Sequence, residues 1–558
     1  VLYVFIAAVA VTGIFFSPCF KTSEESGIDK LQGWTSGQAW PSGFSLVPDG
    51  VNLKAGSGQI IELTGPGEKG EITKQEGLVY IYLFPAFGTH VLDPFVRVIE
   101  RDESNHVAVA RVTPASLETL VCLEEVRGVR TVSSPLVRKV LPPGGNYQDE
   151  NSYVPGLESF RKLPGVSGKG FRVGIISDGV DSLAGAQASG ALPGDVHVLA
   201  AGKGNEGTAM LEIVHGIAPD AKLYFHEAGS NKLEFNKAVD ALLAEGCQII
   251  CDDIGWPDEP FFEDGVVASH VREALESQDL LYVSAAGNDA SRHYQGMFFD
   301  DGSGWHDFSS GKSSSKNLYV DIPPAGEVTV VLQWNDPWDA AGNDYDLYLK
   351  DCSGGEGLAS SKNSQDGNGI PLEFFRYTNP EKTVIKGMIC IEKYSGEPQV
   401  LEVFIYPESC RDIYPDNLVE EDSVFGHPAV PEVLCVGAFG SENGNSGNEN
   451  SGIAPYSSRG PVSIYSPQYE ARNKPDLCGP GSVEIRGTDE SRNLFAGTSA
   501  SAPYVAGVAA LVWSGQSEKN ASEIREILCS TAGDLGAPGY DSIFGYGIVD
   551  SSAFTEGQ

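Results

Sequence analysis

The sequence predicts an α/β protein, a parallel sheet flanked by helices, with a small α+β unit ahead of it and a β-sandwich inserted into it. Three observations carry this. Between Lys169 and Asn288, apolar strand-like runs alternate with helical runs, which is the rhythm of parallel strands joined by helical crossovers. From about 293 to 426 the helical runs stop, and strand-like runs alternate with loops rich in Ser, Gly and Asn, as in a sandwich. The alternating pattern then resumes at Val433 and continues to the C-terminus.

Taken in order, residues 1–20 are almost wholly apolar and give way to Lys21-Thr22-Ser23-Glu24-Glu25. That is the shape of a signal-peptide core, or of an N-terminal membrane anchor. Cys19, in Phe16-Ser17-Pro18-Cys19, matches the lipid-attachment pattern poorly. Residues 21–70 are Gly- and Ser-rich with weak periodicity and read as an extended leader. Residues 71–145 form the α+β unit. Its strands are read at Val79–Leu83, Val107–Val112 and Val126–Val132, its helix at Pro114–Leu120, and its end at the Pro/Gly linker 141–145. The α/β part spans 146–292 and 427–558, with 293–426 as the insert. Its first strands are expected at Phe171–Ile176, Ala221–Phe225, Gln248–Cys251 and Leu280–Val283, and helices at Thr208–Val214, Phe235–Glu245 and Val266–Ser277. Later strands are expected at Val328–Trp334, Asp346–Leu349 and Val400–Tyr406 in the insert, and at Val433–Gly437 beyond it.

The chain has 558 residues, enough for two or three domains with cores of their own. Its 38 Lys and Arg face 76 Asp and Glu, a net charge of −38. So acidic a surface repels nucleic acid and anionic membranes, which excludes both as partners. No stretch after the first twenty residues is apolar for the roughly 20 residues a spanning helix requires. Ten cysteines in this length do not make a disulfide scaffold. Cys247 and Cys251 lie four apart on one predicted strand, about 13 Å and too far to bond, so they read as buried free thiols. One disulfide among Cys352, Cys390 and Cys410 is compatible with their clustering, and no CxxC spacing suggests zinc.

The chemistry gathers around Gly497-Thr498-Ser499-Ala500-Ser501-Ala502-Pro503, which precedes a helix of small residues, Tyr504–Trp513. A helix N-terminus suits a nucleophilic serine, because its amides and dipole stabilise developing negative charge. Other segments fall into place around it: Ser177-Asp178-Gly179 after the first strand, Ser284-Ala285-Ala286-Gly287-Asn288, Tyr456-Ser457-Ser458-Arg459-Gly460-Pro461, Lys474-Pro475-Asp476, Gly479-Pro480-Gly481 and Gly545-Tyr546-Gly547. In this order they resemble the subtilisin-like serine proteases over roughly 146–290 and 430–558. The resemblance implies a subtilisin-like fold and a secreted or cell-surface serine endopeptidase acting on proteins or peptides without a cofactor. It implies Ser499 as nucleophile and Asp178 as the triad aspartate. Asn288 would join the Ser499 backbone N–H in an oxyanion hole, and Asp253-Ile254-Gly255 would be the edge strand that pairs with substrate.

One position departs from the family. Where His-Gly-Thr is usual, this chain has Glu206-Gly207-Thr208-Ala209-Met210, followed by Gly216-Ile217-Ala218-Pro219. His215 lies nine residues after Glu206, on the opposite side of the helix at 100° per residue, and reads as a helix-end histidine. Glu206 therefore stands as the general base. A carboxylate beside Asp178, and near Asp253, shares a proton with its neighbour and favours acidic pH. Sedolisins also use a Ser-Glu-Asp triad, with the Asp one helical turn after the Glu, where this chain has Met210. The segment Glu-Gly-Thr-Ala-Met-Leu-Glu-Ile-Val-His resembles a branch of subtilases with the same substitution. The competing reading is a catalytically inactive, subtilase-like binding or surface protein.

Residues 75–140 resemble the inhibitor-like propeptides of subtilases, which leave their tail in the cleft. This implies a zymogen with its own propeptide as a partner, cut between about 139 and 168. The insert, with Gln333-Trp334-Asn335-Asp336-Pro337 and Asp344-Tyr345-Asp346-Leu347-Tyr348, resembles sandwich domains appended to secreted proteases. Asp336, Asp344 and Asp346, with Asp339, are oxygen donors of the kind a structural calcium ion takes, or turn residues of the sandwich.

Overall fold

The computed structural model describes residues 77–120, 122–132, 134–137, 157–300, 302–309, 316–355, 357–367, 369–407, 412–414, 416–440, 452–487 and 494–552. The apolar segment 1–20 with Cys19, the leader 21–70, the linker 141–145 and Cys410 lie outside them.

The chain begins with a four-stranded antiparallel sheet: β1 (Gly77–Leu83), β2 (Arg97–Asp102), β3 (Val107–Val112) and β4 (Val126–Thr131), in the order β2-β3-β1-β4, with α1 (Pro114–Leu120) between β3 and β4. Val79, Ile81, Ala108, Ala110 and Leu117 fill one core of this unit. On the other face Tyr80, Tyr82, Val107 and Val109 meet Leu233 of the main body. The alternation follows from the two-residue period of a strand. β2 has no signature in the sequence, because Arg-Val-Ile-Glu-Arg-Asp has no apolar run. A two-residue strand, β5 (Leu136–Val137), and a short helix, α2 (Leu157–Phe160), follow.

The main body then alternates as expected. Its elements are β6 (Arg172–Ser177), α3 (Leu183–Ser189), β7 (His197–Ala200), α4 (Glu206–Ile217), β8 (Lys222–Glu227), α5 (Lys232–Ala244), β9 (Ile249–Asp252), β10 (Ile254–Gly255), α6 (Val266–Ser277) and β11 (Leu281–Ala285). The next nine strands are antiparallel: β12 (His293–Met297), β13 (Leu318–Ile322), β14 (Glu327–Trp334), β15 (Asp344–Asp351), β16 (Gly357–Ser361), β17 (Leu372–Thr378), β18 (Ile385–Ser395), β19 (Val400–Pro407) and β20 (Asp412–Ile413). They build two sheets, β12-β19-β14-β17 and β16-β15-β18-β13-β20, which enclose one apolar core around Trp334, Tyr345 and Phe375. The return to the main body adds β21 (Leu434–Phe439), β22 (Val462–Ile464), β23 (Glu470–Arg472), β24 (Leu477–Pro480), β25 (Ser482–Glu484), β26 (Leu494–Ala496), α7 (Thr498–Gly515) and α8 (Ala521–Ser530).

The central sheet has seven strands in the order β24-β21-β11-β9-β6-β8-β7, all parallel. Alternate residues of its strands serve opposite faces. Ile249 and Cys251 of β9 join the core under α4 and α7, while Ile250 joins the core under α5 and α6. α7 is buried on all sides, which its run of Ala, Gly and Val permits. Gly507 is needed there, since a Cβ at that position would lie 2.9 Å from Ile217 Cβ of α4. The sequence reading does not single out β7, a four-residue strand whose His197, Val198 and Leu199 lie exposed at the sheet edge.

Among the described residues Cys247, Cys251, Cys352 and Cys390 are free thiols. No helix among these residues is long and apolar enough to cross a membrane.

Candidate active site

Three adjacent strands of the central sheet, β11, β9 and β6, end at one edge. Just beyond them stand Asn288, Asp253 and Asp178 respectively. Neighbouring strands lie about 4.8 Å apart, so the topology alone gathers these three side chains. Ligand and catalytic sites of open parallel sheets sit at this carboxyl edge.

Glu206 and Ser499 join them from two helix N-termini. Glu206 is the first residue of α4, and its backbone N–H donates to Asp178 Oδ1 at 3.0 Å. The same oxygen accepts from Gly179 N at 2.5 Å and Gly207 N at 3.4 Å. This close approach depends on Gly204, at φ +126°, because a Cβ there would fall 1.9 Å from Asp178 Oδ2. Ser499 is the second residue of α7, which begins after Gly497 at φ +117°. Thr498 ties this turn to the oxyanion candidate. Its N–H and its hydroxyl both donate to Asn288 Oδ1 at 3.0 Å. With the oxygen so held, the planar Asn288 amide presents its NH2 on the opposite side.

The sequence groups Asp253 with Ile254 and Gly255 as a peptide-pairing edge and also sets it near the Asp178 and Glu206 carboxylates. The Asp253 side chain is 0 % exposed and turns toward the other carboxylates. Burial, followed by the charge of Asp178, pushes its pKa up to about 7, while the Ser177 hydroxyl and the Glu206 carboxyl pull the other way. Ser177 is a member of the site that sequence reasoning misses. It is the last residue of β6, and a serine before Asp178 carries no signal of its own.

Ile254 and Gly255 do form an edge strand, and it is paired. β10 runs antiparallel to β5, with Ile254 opposite Val137 and Gly255 opposite Leu136. The chain's own residues 136–137 thus lie as an extended peptide beside the site. An adjoining cleft of about 460 Å3 is lined by Pro135, Ser177, Asp178, Lys203, Ala228 and Ile254. The unit that leads into this segment is docked at several points. Lys232 N donates to Tyr80 Oη at 2.9 Å, and its buried ammonium lies 3.0 Å from Asp258 and 3.4 Å from Glu259. Lys237 pairs with Glu100, and Arg127 reaches Asp339 of the sandwich at 2.9 Å.

The remaining motif residues are mainly structural. Ser457 Oγ accepts from Ala438 N, and Ser458 Oγ accepts from Asp289 N, which buttresses the Asn288 loop. Lys474 is buried and bonds Asp476 and the Val433 carbonyl. His215 sits away from the carboxylates near Asp195 and Asp220. Burial lowers its pKa, and those two acids oppose the shift.

In the insert, Asp336 spends both oxygens on a turn, accepting from the Gly342 and Asn343 backbone amides and from Asn343 Nδ2. Burial and then Asp346 raise Asp344 to about 6, and Asp346 accepts from Tyr348. Among the described residues no three His, Cys, Asp or Glu side chains are grouped to hold a metal ion.

A serine on a strand-to-helix turn that is tied to an asparagine, at the rim of a parallel sheet where carboxylates gather, fits the class of α/β serine-type hydrolases. The Subtilase family profile (Peptidase_S8) matches residues 196–547. The chain belongs to that family of serine-type peptidases. Its fold is subtilisin-like, a seven-stranded parallel sheet flanked by helices.

Over 81 residues, 14% of this chain, it is 38% identical to the Neisserial autotransporter lipoprotein NalP of Neisseria meningitidis serogroup B. That stretch spans only 8% of the relative's length. Among solved structures, the Clostridium perfringens CspB protease is similar with a TM-score of 0.49 at 16% identity, covering 72% of this chain and 95% of that one. The epidermin leader peptide processing serine protease EpiP of Staphylococcus aureus is similar with a TM-score of 0.43 at 14% identity, covering 86% and 97%.

Proposed function

We propose that the protein is a serine endopeptidase in which Ser499 is the nucleophile and Glu206 takes the place of the usual catalytic histidine. One observation carries this reading. Asp178, Asp253 and Asn288 leave three adjacent strand ends, while Glu206 is hydrogen-bonded to Asp178 and the Ser499 turn to Asn288.

In the reaction, Ser499 Oγ attacks the substrate carbonyl carbon as its proton passes to Glu206. The new oxyanion is met by the Asn288 side-chain amide and the Ser499 backbone N–H. The C–N bond then breaks, and the leaving amine takes the proton from Glu206. Water, deprotonated by the same carboxylate, attacks the acyl carbon, and as the ester bond breaks Ser499 Oγ takes that proton back from Glu206. Asp178 stays ionised under its three amide donors and fixes the start of α4. A carboxylate base working inside an acidic cluster favours acidic pH, and the Glu206 substitution is the sedolisin-like feature of this subtilase.

The N-terminal unit acts as the propeptide, and its segment 136–137 occupies the groove that an extended substrate would fill by strand addition. Its pairing with β10 supports that role. The apolar segment 1–20 supports export to the outside or the cell surface, in keeping with the partial likeness to a Neisseria autotransporter lipoprotein.

Replacement of the histidine favours one competing reading, a subtilase-like surface protein without activity. Incubation of purified precursor between about pH 3 and pH 8 separates the two. Wild type is expected to mature itself at the acidic end and to react with a fluorophosphonate probe at Ser499, and Ser499→Ala to do neither. Wild type and Ser499→Ala precursors that stay equally intact and unlabelled would overturn the peptidase reading.

A further inference from the structure

Glu206 has two aspartates beside it, and they are held in opposite ways. Asp178 rests on three backbone N–H groups, two of them at the start of α4. Amide donors and the positive end of a helix favour a charged carboxylate. Asp253 has no such cradle. Both of its oxygens are buried and make no hydrogen bond of ordinary geometry. The groups facing it are the Ser177 hydroxyl from β6 and the Glu206 carboxyl from α4, with Asp178 after β6 and Asp252 on its own strand as nearby like charges. An enclosed carboxyl surrounded by other carboxylates is held neutral or shares a proton.

We propose that Asp253 is a positioning residue of the catalytic apparatus, sharing one proton with Glu206 and thereby holding that carboxylate in place to serve Ser499. The inference rests on the reading of Glu206 as the base. The proton balance is simple. At rest the Glu206–Asp253 pair holds one proton and carries one negative charge. Attack by Ser499 delivers a second proton, which makes the pair neutral. Collapse of the tetrahedral intermediate returns that proton to the leaving amine. Throughout, Asp178 remains the separate fixed anion.

The shared proton also sets an upper pH limit. Burial and then the charge of Asp178 raise Asp253 to about 7, and in the proposed pair that titration is shared with Glu206. As pH rises through that range the pair loses its last proton. Two adjoining carboxylates then repel each other, and Glu206 is no longer held. Activity should therefore fall on the alkaline side near pH 7.

The test is peptide hydrolysis by matured enzyme across pH for wild type, Asp253→Asn and Asp253→Ala, with folding checked by circular dichroism and thermal melting. Asn keeps a donor toward Glu206 at every pH. It should retain kcat within about tenfold and lose the alkaline limb near pH 7, since removing one titrating partner removes its limb. Ala removes the donor and should lower kcat on the order of 100-fold with KM within about threefold. An Asp253→Asn enzyme whose alkaline limb stays at the wild-type pH overturns the inference, as does an Asp253→Ala enzyme with wild-type kcat. Should the Ala variant fail to fold, Asp253→Asn and the pH dependence of fluorophosphonate labelling of Ser499 distinguish the same two outcomes. Wild type that labels and matures while both variants behave like it sinks the Asp253 role alone. Wild type that never labels sinks the Glu206 reading as well.

Discussion

Asp252 and Asp253 are neighbours in sequence, both completely buried, and their surroundings have nothing in common. On a strand, successive side chains point to opposite faces. Asp252 faces the α5 and α6 side, where His427 Nε2 is 2.9 Å from Oδ1, Ser284 Oγ donates at 3.2 Å and Ile254 N at 3.0 Å. His427 is packed between Phe235 and Tyr282. This set contains a serine, a histidine and an aspartate, yet it is a sealed structural cluster, joined through Asp252 Oδ1 while Oδ2 makes no hydrogen bond. Asp253 faces the opposite side, where its oxygens lack such partners and other carboxylates gather. A buried acid with its partners in place supports the fold. A buried acid set among other carboxylates at the open edge of a parallel sheet is a candidate for proton transfer.

Removing groups from each cluster in turn puts this contrast at risk. Ser499→Ala should abolish self-processing and lower peptide hydrolysis by on the order of 10^4-fold or more, measured with a fluorogenic peptide. It should leave the melting temperature nearly unchanged. Asn288→Ala should lower kcat on the order of 100-fold with little change in KM, because the side-chain amide acts on the charge that appears in the transition state.

His427→Ala should do the reverse. It strands the Asp252 carboxyl in the interior and should cost about 3 kcal/mol in chemical denaturation, while the surviving folded enzyme keeps its pH profile. A His427→Ala enzyme with full stability and shifted catalysis would mean that the two clusters have been assigned the wrong way round.

Asp253 should also leave a trace in stability. Its pKa is raised in the folded state, from an ordinary 3.8 to about 7. The folded protein therefore binds a proton more tightly than the unfolded chain. That contribution is fully present below about pH 3.8 and is lost as pH rises to about 7. In inactive Ser499→Ala protein, the melting temperature should decline across that window, and adding Asp253→Asn should flatten the decline.

The smallest effect concerns the docked N-terminal unit. Asp339→Ala removes the partner of Arg127 and Arg130. Since the pair is partly exposed, it should weaken retention of the cleaved unit by only about 1 kcal/mol, or about fivefold in dissociation rate.

Much of the frame is legible in the residue order, for identifiable reasons. The helix Val266–Ser277 has the same bounds in sequence and structure because its apolar positions repeat at helical spacing. The strands of the central sheet stand out as short apolar runs. Ser499, Asn288 and Asp178 can be named because each sits in a short local motif that resembles the subtilases'. Asp253 reads as part of the peptide-binding edge because Asp253-Ile254-Gly255 looks continuous in sequence. In the structure the side chain of the first residue turns inward, while the backbone of the next two pairs with β5. The clusters of Asp252 with His427, and of Arg127 with Asp339, join residues 175 and 212 positions apart, and no local pattern connects them.

Residue order alone sets the elements, their alternation, the family resemblance and the turn that carries Ser499, since helix period, strand period and glycine-dependent turns are properties of adjacent residues. Which acid meets which partners is decided in three dimensions. The charge state and partners of a carboxyl depend on the strands, helices and distant loops that close around it, and those surroundings separate Asp252 from Asp253.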